Sequence, residues 1–162
     1  MELILLRHGK AEDYNLLGDT ERQLMPKGHW QGVRAAKLLE QAKLLPEVVL
    51  TSPLVRARQT AEAFCAAAGM PGPIVQGWLA CGMAPEQGLR ELAAFMDFSS
   101  VAIVGHEPDF SMFAEWILGF SCGNLEVKKA ALVGITIEPP ARAGTLRFLI
   151  PPKLIGLADI EH

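Results

Sequence analysis

A three-layer α/β/α fold is predicted for this 162-residue sequence, with a mostly parallel sheet and a closing antiparallel strand. Three observations carry that reading. Short, wholly apolar runs such as Leu3–Leu6 and Val101–Val104 suit strands covered on both faces. Stretches of helical periodicity alternate with them, the pattern of strand–helix units in a parallel sheet. Near the C-terminal end two apolar runs, Ala130–Ile137 and Thr145–Ile150, flank Pro139-Pro140-Ala141-Arg142-Ala143-Gly144 and read as a closing hairpin.

Taken in order, Glu2–Leu6 is the first strand. Lys10–Leu24 is polar, contains Gly18-Asp19 and predicts a long loop. Pro26 suits the first turn of a helix, and apolar positions from Trp30 to Leu45 recur at helical spacing until Pro46 ends the run. Met25 stands before this helix, where no side chain can cap it. Glu47–Thr51 is a second buried strand. Pro53 opens a second helix, through Ala57, Ala61, Phe64 and Ala68, closed by Gly69. Gly72–Gln76 suits a short third strand, Gly77–Gly88 holds a loop, and Pro85–Met96 a helix. Val101–Val104 is the fourth strand, Pro108–Leu118 a helix, and Gly119 its stop.

The length fits one domain over residues 1–162 with one sizeable core. Half the residues are hydrophobic and 20% are charged, which excludes a disordered, solvating chain. A net charge of -3 argues against broad binding of nucleic acid or acidic lipid. The apolar run before Arg7 is too short for a signal core, and no stretch reaches the ~18–20 apolar residues of a membrane helix. A cytoplasmic protein, monomeric by default, is expected. Cys65, Cys81 and Cys122 show neither metal spacing nor a disulfide framework, and reduced, buried thiols are expected. No metal or other cofactor is implied.

In a mostly parallel sheet, ligands bind beyond the carboxyl ends of the strands. Arg7-His8-Gly9, Ser52–Arg56 and Gly105-His106 each stand just past such an end. Two histidines and two arginines meeting in one crevice suit phosphoryl transfer. Arginine forks neutralise the equatorial phosphoryl oxygens, one histidine attacks phosphorus and the other supports the building charge. Gly9 would let the backbone approach the anion. Ser52 would start the turn before Pro53, with a direct phosphate contact as the alternative. His29 is expected to be solvated, and Arg58 to pair within its own helix. Trp30, Trp78 and Trp116 suit the core or its rim. Lys128-Lys129 suit a solvated turn, where either could touch an acidic protein partner.

Arg7-His8-Gly9, the segment from Thr51 to Glu62, and Val104-Gly105-His106-Glu107-Pro108 resemble the histidine phosphatase superfamily, with its phosphoglycerate mutase-like fold. The small size and the ending Leu146–Lys153 resemble its SixA-type phosphohistidine phosphatases. The resemblance implies that His8 is the nucleophile, that Arg7 and Arg56 bind phosphate, and that His106 is the second histidine of the pocket. Arg22, before Gln23-Leu24-Met25-Pro26-Lys27-Gly28, would border the site, with Met25 where a hydroxyl residue is usual. In the mutase branch the acid that protonates the leaving alkoxide follows the third strand. Here Gln76–Gly82 holds no carboxylate, and Glu86 lies further on. Glu107, directly after His106, resembles the acid of the phytase-like branch, where an aspartate follows the second histidine; the alternative is a cap for the helix at Pro108.

That gap bears on the substrate. Imidazole has a pKa near ~6.5 and leaves easily, whereas an alkoxide leaves poorly without a proton donor. The expected function is therefore a metal-independent phosphatase with a phosphohistidine intermediate, acting on a phosphohistidine-bearing protein such as a phosphotransfer domain or phosphocarrier. The alternatives are a small-molecule phosphomonoester phosphatase and a non-catalytic phospho-binding module. A mutase would need a lid to exclude water, for which the chain has little length to spare.

Overall fold

A computed structural model of the protein describes residues 1–157. The elements run β1 (Glu2–Arg7), α1 (Pro26–Gln41), β2 (Val48–Thr51), α2 (Val55–Ala67), β3 (Ile74–Val75), α3 (Pro85–Leu92), β4 (Ser100–Gly105), α4 (Asp109–Leu118), β5 (Leu132–Glu138), β6 (Ala141–Ile150) and α5 (Pro152–Ile155). The sheet order is β3-β2-β4-β1-β5-β6. Neighbours from β3 to β1 pair in parallel, while β5 runs against both β1 and β6.

The apolar strands take the centre because they need cover on both faces. Leu3 and Leu5 of β1, with Val101 and Ile103 of β4, pack against α3 and α4 through Leu89, Leu92, Phe110 and Phe113. Ile4 and Leu6, with Ala102 and Val104, face α1 and α2 through Ala36, Leu39, Ala61 and Phe64. Strand alternation thus divides one apolar run between two cores. Small residues on the second face let α1 and α2 lie close together. A Cβ added at Gly32 of α1 would come within 3.0 Å of the Thr60 carbonyl oxygen.

Three expectations require correction. Helix α1 stops at Gln41 rather than Leu45. Lys43 takes φ +58°, its N–H donates to Glu40 O and the Leu44 N–H to Leu39 O, a closing turn that satisfies the last carbonyls. The apolar pattern overran because Leu45 still packs against the core from outside the helix. Strand β6 begins at Ala141, so the hairpin turn is only Pro139-Pro140. This edge strand is largely exposed at its start, so no burial pattern marked it. Finally, only Cys65 is buried; Cys81 and Cys122 are exposed. No helix of the described residues is long and apolar enough to cross a membrane.

Candidate active site

Strand register assembles the site. Arg7 of β1 lies opposite Gly105 of β4, and the His8 N–H donates to the Gly105 carbonyl (3.0 Å). His8 and His106 therefore leave the sheet side by side, with ring centroids 5.4 Å apart. On the other side of β4, the Ser52 N–H donates to Val104 O, which places the start of α2 beside both histidines. Arg56 lies in the first turn of α2 and is buried. Thr60, one turn on, accepts a hydrogen bond from the Gly9 N–H (3.1 Å) and donates to Arg56 O (2.7 Å). The loop carrying His8 is thereby tied to the helix carrying Arg56.

Gly9 serves packing of the chain on itself. A Cβ there would stand 2.7 Å from the Gly28 carbonyl oxygen, and one at Gly28 would collide with the Lys10 carbonyl. The two glycines let the first turn of α1 lie directly on the His8 loop. As the sequence implied, Met25 provides no side-chain cap for that helix. On the other flank Ala130, at φ +62°, donates its N–H to both Arg7 O (3.0 Å) and His8 O (3.2 Å). A left-handed alanine is sparsely populated backbone, held here by its bonds to the site.

The hydrogen bonds determine the tautomer of His8. Nδ1 lies 2.8 Å from the Gly9 carbonyl oxygen, which can only accept, so Nδ1 carries the proton. Nε2 then presents its lone pair, and Arg56 Nε–H donates to it (3.3 Å). Burial first, and then the cationic surroundings, push the His8 pKa down to about 3 and that of His106 to about 4. Both rings are neutral at pH 7. His106 Nε2 lies 2.7 Å from Ser52 Oγ, which also accepts the Leu54 N–H (3.2 Å). Among the described residues, His106 Nδ1 is buried without a partner, as is Arg7 Nε, while Arg7 Nη1 donates to Val127 O (2.9 Å). Buried polar atoms normally find partners. Two such atoms beside the buried His8 ring leave hydrogen-bonding capacity open to a ligand.

The loop before α1 contributes a residue that sequence reading missed. Asp19 accepts from Arg56 Nη2 through Oδ2 (3.2 Å), and its backbone oxygen accepts from Nη1 (2.9 Å). Its Oδ1 lies 2.9 Å from Arg22 Nε, an ion pair by distance without the alignment of a hydrogen bond. Arg22 Nη1 donates to Glu12 O (3.0 Å). Asp19 thus joins the two arginines at the crevice, and Gly18-Asp19 had carried only a turn signal. Asp109 was also missed. Its buried carboxylate accepts the Gly82 and Met83 N–H groups (2.9 and 3.1 Å), fastening the loop that holds Cys81 3.8 Å from Arg56 Nη2.

Of the other candidates, Ser52 is fully buried and engaged by His106 rather than open to a ligand. Glu107 accepts the Ser111 N–H (2.8 Å), capping the start of α4. Burial raises its pKa, against the Ser111 hydrogen bonds and the attraction of Arg7.

A family profile for the histidine phosphatase superfamily (branch 1) matches residues 3–78, the part carrying Arg7-His8-Gly9 and Arg56. An uncharacterised protein of Picosynechococcus sp. is 38% identical over 143 residues, 83% of this chain and 84% of that one. This chain belongs to the histidine phosphatase superfamily. Phosphoglycerate mutase 1 of Saccharomyces cerevisiae is 43% identical over 64 residues, 38% of this chain, and only 26% of the mutase is spanned. The fold of this superfamily member matches that of the protein histidine phosphatase SixA complexed with tungstate (TM-score 0.86, 23% identity, 96% of this chain and 99% of that one). It also matches the α-ribazole phosphatase of Shigella flexneri (TM-score 0.73, 19% identity, 94% and 97%).

Two predictions arise from this histidine phosphatase site. Below the unfolded histidine pKa of ~6.5, the unfolded chain protonates both imidazoles while the fold keeps them neutral, so it binds more protons. Stability is therefore full above about pH 6.5 and is lost as pH falls towards about 4 and then 3, the folded values of His106 and His8. Urea midpoints of wild type should fall between neutral and mildly acidic pH, and His106→Asn should flatten that fall. Second, Asp19 holds negative charge where a phosphoryl dianion would approach. Its side chain is 65% exposed, so the effect is that of a solvated pair. Asp19→Asn should tighten inhibition by inorganic phosphate roughly two- to fivefold, which competitive inhibition constants will check.

Proposed function

We propose that this protein is a phosphatase that carries the phosphoryl group on His8 Nε2 and acts on a phosphohistidine-bearing protein. The observation that carries the reading is the set of groups around that lone pair. A neutral His8 stands against Arg56, with Arg7 Nε and His106 Nδ1, both without a partner among the described residues, beside it.

The chemistry follows from those atoms. His8 Nε2 attacks phosphorus, the new N–P bond forms and the substrate's P–N bond breaks. The departing imidazole keeps the electron pair and takes a proton from solvent water. The Gly9 carbonyl, accepting from Nδ1–H, steadies the positive charge on the phosphorylated ring. Arg7 and Arg56 neutralise the phosphoryl oxygens. With the Ser52 hydroxyl donating to His106 Nε2, the proton of His106 sits on Nδ1, and that N–H can donate a hydrogen bond to a phosphoryl oxygen while keeping its proton. Water then hydrolyses the His8 phosphoramidate, releasing inorganic phosphate and the free ring.

A phosphohistidine substrate suits a site with no obligatory acid, because imidazole is a good leaving group. Glu107 supports a second reading, a phosphomonoester phosphatase. Its raised pKa favours the protonated form a donor needs, while its bond to the Ser111 N–H holds it as a helix cap. The deciding experiment follows, with chelator present, the dephosphorylation of a phosphohistidine-bearing phosphotransfer protein against a panel of phosphate esters. Rapid loss of phosphohistidine with slow ester cleavage is expected. Faster ester cleavage, lost in Glu107→Gln, would establish the second reading instead.

A further inference from the structure

Beside the His8 loop lies a groove of about 680 Å³, distinct from the crevice and lined by Lys27, Trp30, Gln31, Arg34, Lys153 and Ile155 among others. Two lining residues connect it to the site. Gln31 Oε1 accepts the Lys10 N–H (2.9 Å), and Ala130, which also lines the groove, donates its N–H to Arg7 O and His8 O. The groove therefore opens where the backbone of the proposed nucleophile begins.

Its chemistry is one-sided. Lys27, Arg34 and Lys153 are exposed, and among the described residues none of the three forms an ion pair. Lys27, Gln31 and Arg34 follow one another at helical spacing along one face of α1. The positive charge continues towards the crevice through Lys129, whose pKa is lowered by burial and then by Lys10, Arg7 and Arg22. Asp13, 92% exposed and 3.8 Å from Lys10, acts against this lowering at Lys129, while Glu40 is taken up by Lys37 a turn beyond the groove. Between the cations the floor is apolar, with Trp30 57% exposed and Ile155 buried beneath. In a chain of net charge -3, a cationic rim around an apolar floor is a local arrangement, not the average surface.

We propose that this groove docks an acidic amphipathic segment of the phosphohistidine-bearing protein, with carboxylates on Lys27, Arg34 and Lys153 and an apolar side chain against Trp30. The proposal rests on the reading of the reaction above. Charge complementarity of this kind sets orientation and association rate, and an aromatic-floored pocket ringed by cations supplies the anchor. A docked segment here would deliver a neighbouring phosphohistidine to His8.

The test has a binding arm and a kinetic arm. A fluorescein-labelled peptide, with two leucines flanked by glutamates, is titrated with the full-length protein at low and high salt, and with Lys27→Glu/Arg34→Glu. Salt-sensitive binding, weakened at least tenfold in the double variant, is expected. In parallel, the double variant should raise KM for the phosphohistidine protein at least tenfold and leave hydrolysis of a small phosphoramidate unchanged. Absence of peptide binding by wild type, or an unchanged KM in the variant, would overturn the proposal. So would tighter binding of a single-stranded oligonucleotide than of the peptide. Peptide binding that emerges only after Asp159→Asn/Glu161→Gln would also overturn it, assigning the groove to the chain's own acidic residues. Peptide binding with the expected salt and variant response, but no hydrolysis of the phosphohistidine protein, would support the groove and overturn the reading of the reaction.

Discussion

His8→Ala is expected to lose turnover by at least about a thousandfold, because it removes the ring proposed to carry the phosphoryl group. The neighbouring imidazole cannot substitute. His106 Nε2 is held 2.7 Å from Ser52 Oγ, and its Nδ1 belongs to a ring centred 5.4 Å from that of His8. Rapid quenching of wild type with a radiolabelled substrate should trap an acid-labile, base-stable phosphoenzyme, and His8→Ala should trap none. The buried ring packs against its neighbours, so removing it leaves a small cavity and costs some stability. A circular-dichroism melt therefore accompanies the rate measurement. A folded His8→Ala protein that turns over at the wild-type rate would sink the covalent mechanism.

Arg56→Ala is expected to lower kcat by roughly a hundred- to a thousandfold, the usual cost of removing one charge-stabilising donor from a transition state. The size of the effect follows from how many tasks the side chain performs. Its Nε–H addresses His8 Nε2, its Nη atoms hold Asp19, and it stands in the first turn of α2. Arg56→Lys keeps a charge but loses the planar fork, so it should recover only a small part of the loss. Steady-state kinetics on the phosphohistidine protein, beside the inhibition constant for phosphate, separate the two functions. If Arg56 serves the transition state, kcat falls more than phosphate binding weakens. Equal falls in both would reduce its role to ground-state binding.

Much of the site was legible locally. The run Leu3–Leu6 ends at Arg7-His8-Gly9 and the run Val101–Val104 at Gly105-His106, and the end of a buried strand in a parallel sheet is where ligands bind. What stayed hidden depended on contacts between distant segments. Asp19 sits in a loop whose glycine and polar residues announce a turn and nothing more, yet it lies on Arg56. Asp109 begins a helix, as an acidic first-turn residue does, while its carboxylate fastens the loop around Gly82 and Met83. Gly9 suggested a close approach of backbone to an anion, and the structure shows the close approach is to Gly28 of α1. The end of α1 was misplaced because Leu45 kept the apolar rhythm after Lys43 had turned the chain.

By itself the sequence determined the kinds of element, the two-sided burial of the central strands and the residues that stand at their carboxyl ends. These are properties of a single segment, set by the period of its apolar residues and by proline and glycine at its ends. Only the tertiary structure decided that β1 and β4 are neighbours in a register that sets His8 beside His106. It alone also decided that Ser52 would engage His106 and that α1 would turn a basic face beside the site. The physical reason is that choosing a strand's neighbour depends on how whole faces pack across the sheet, a free energy shared among segments and written in none of them separately.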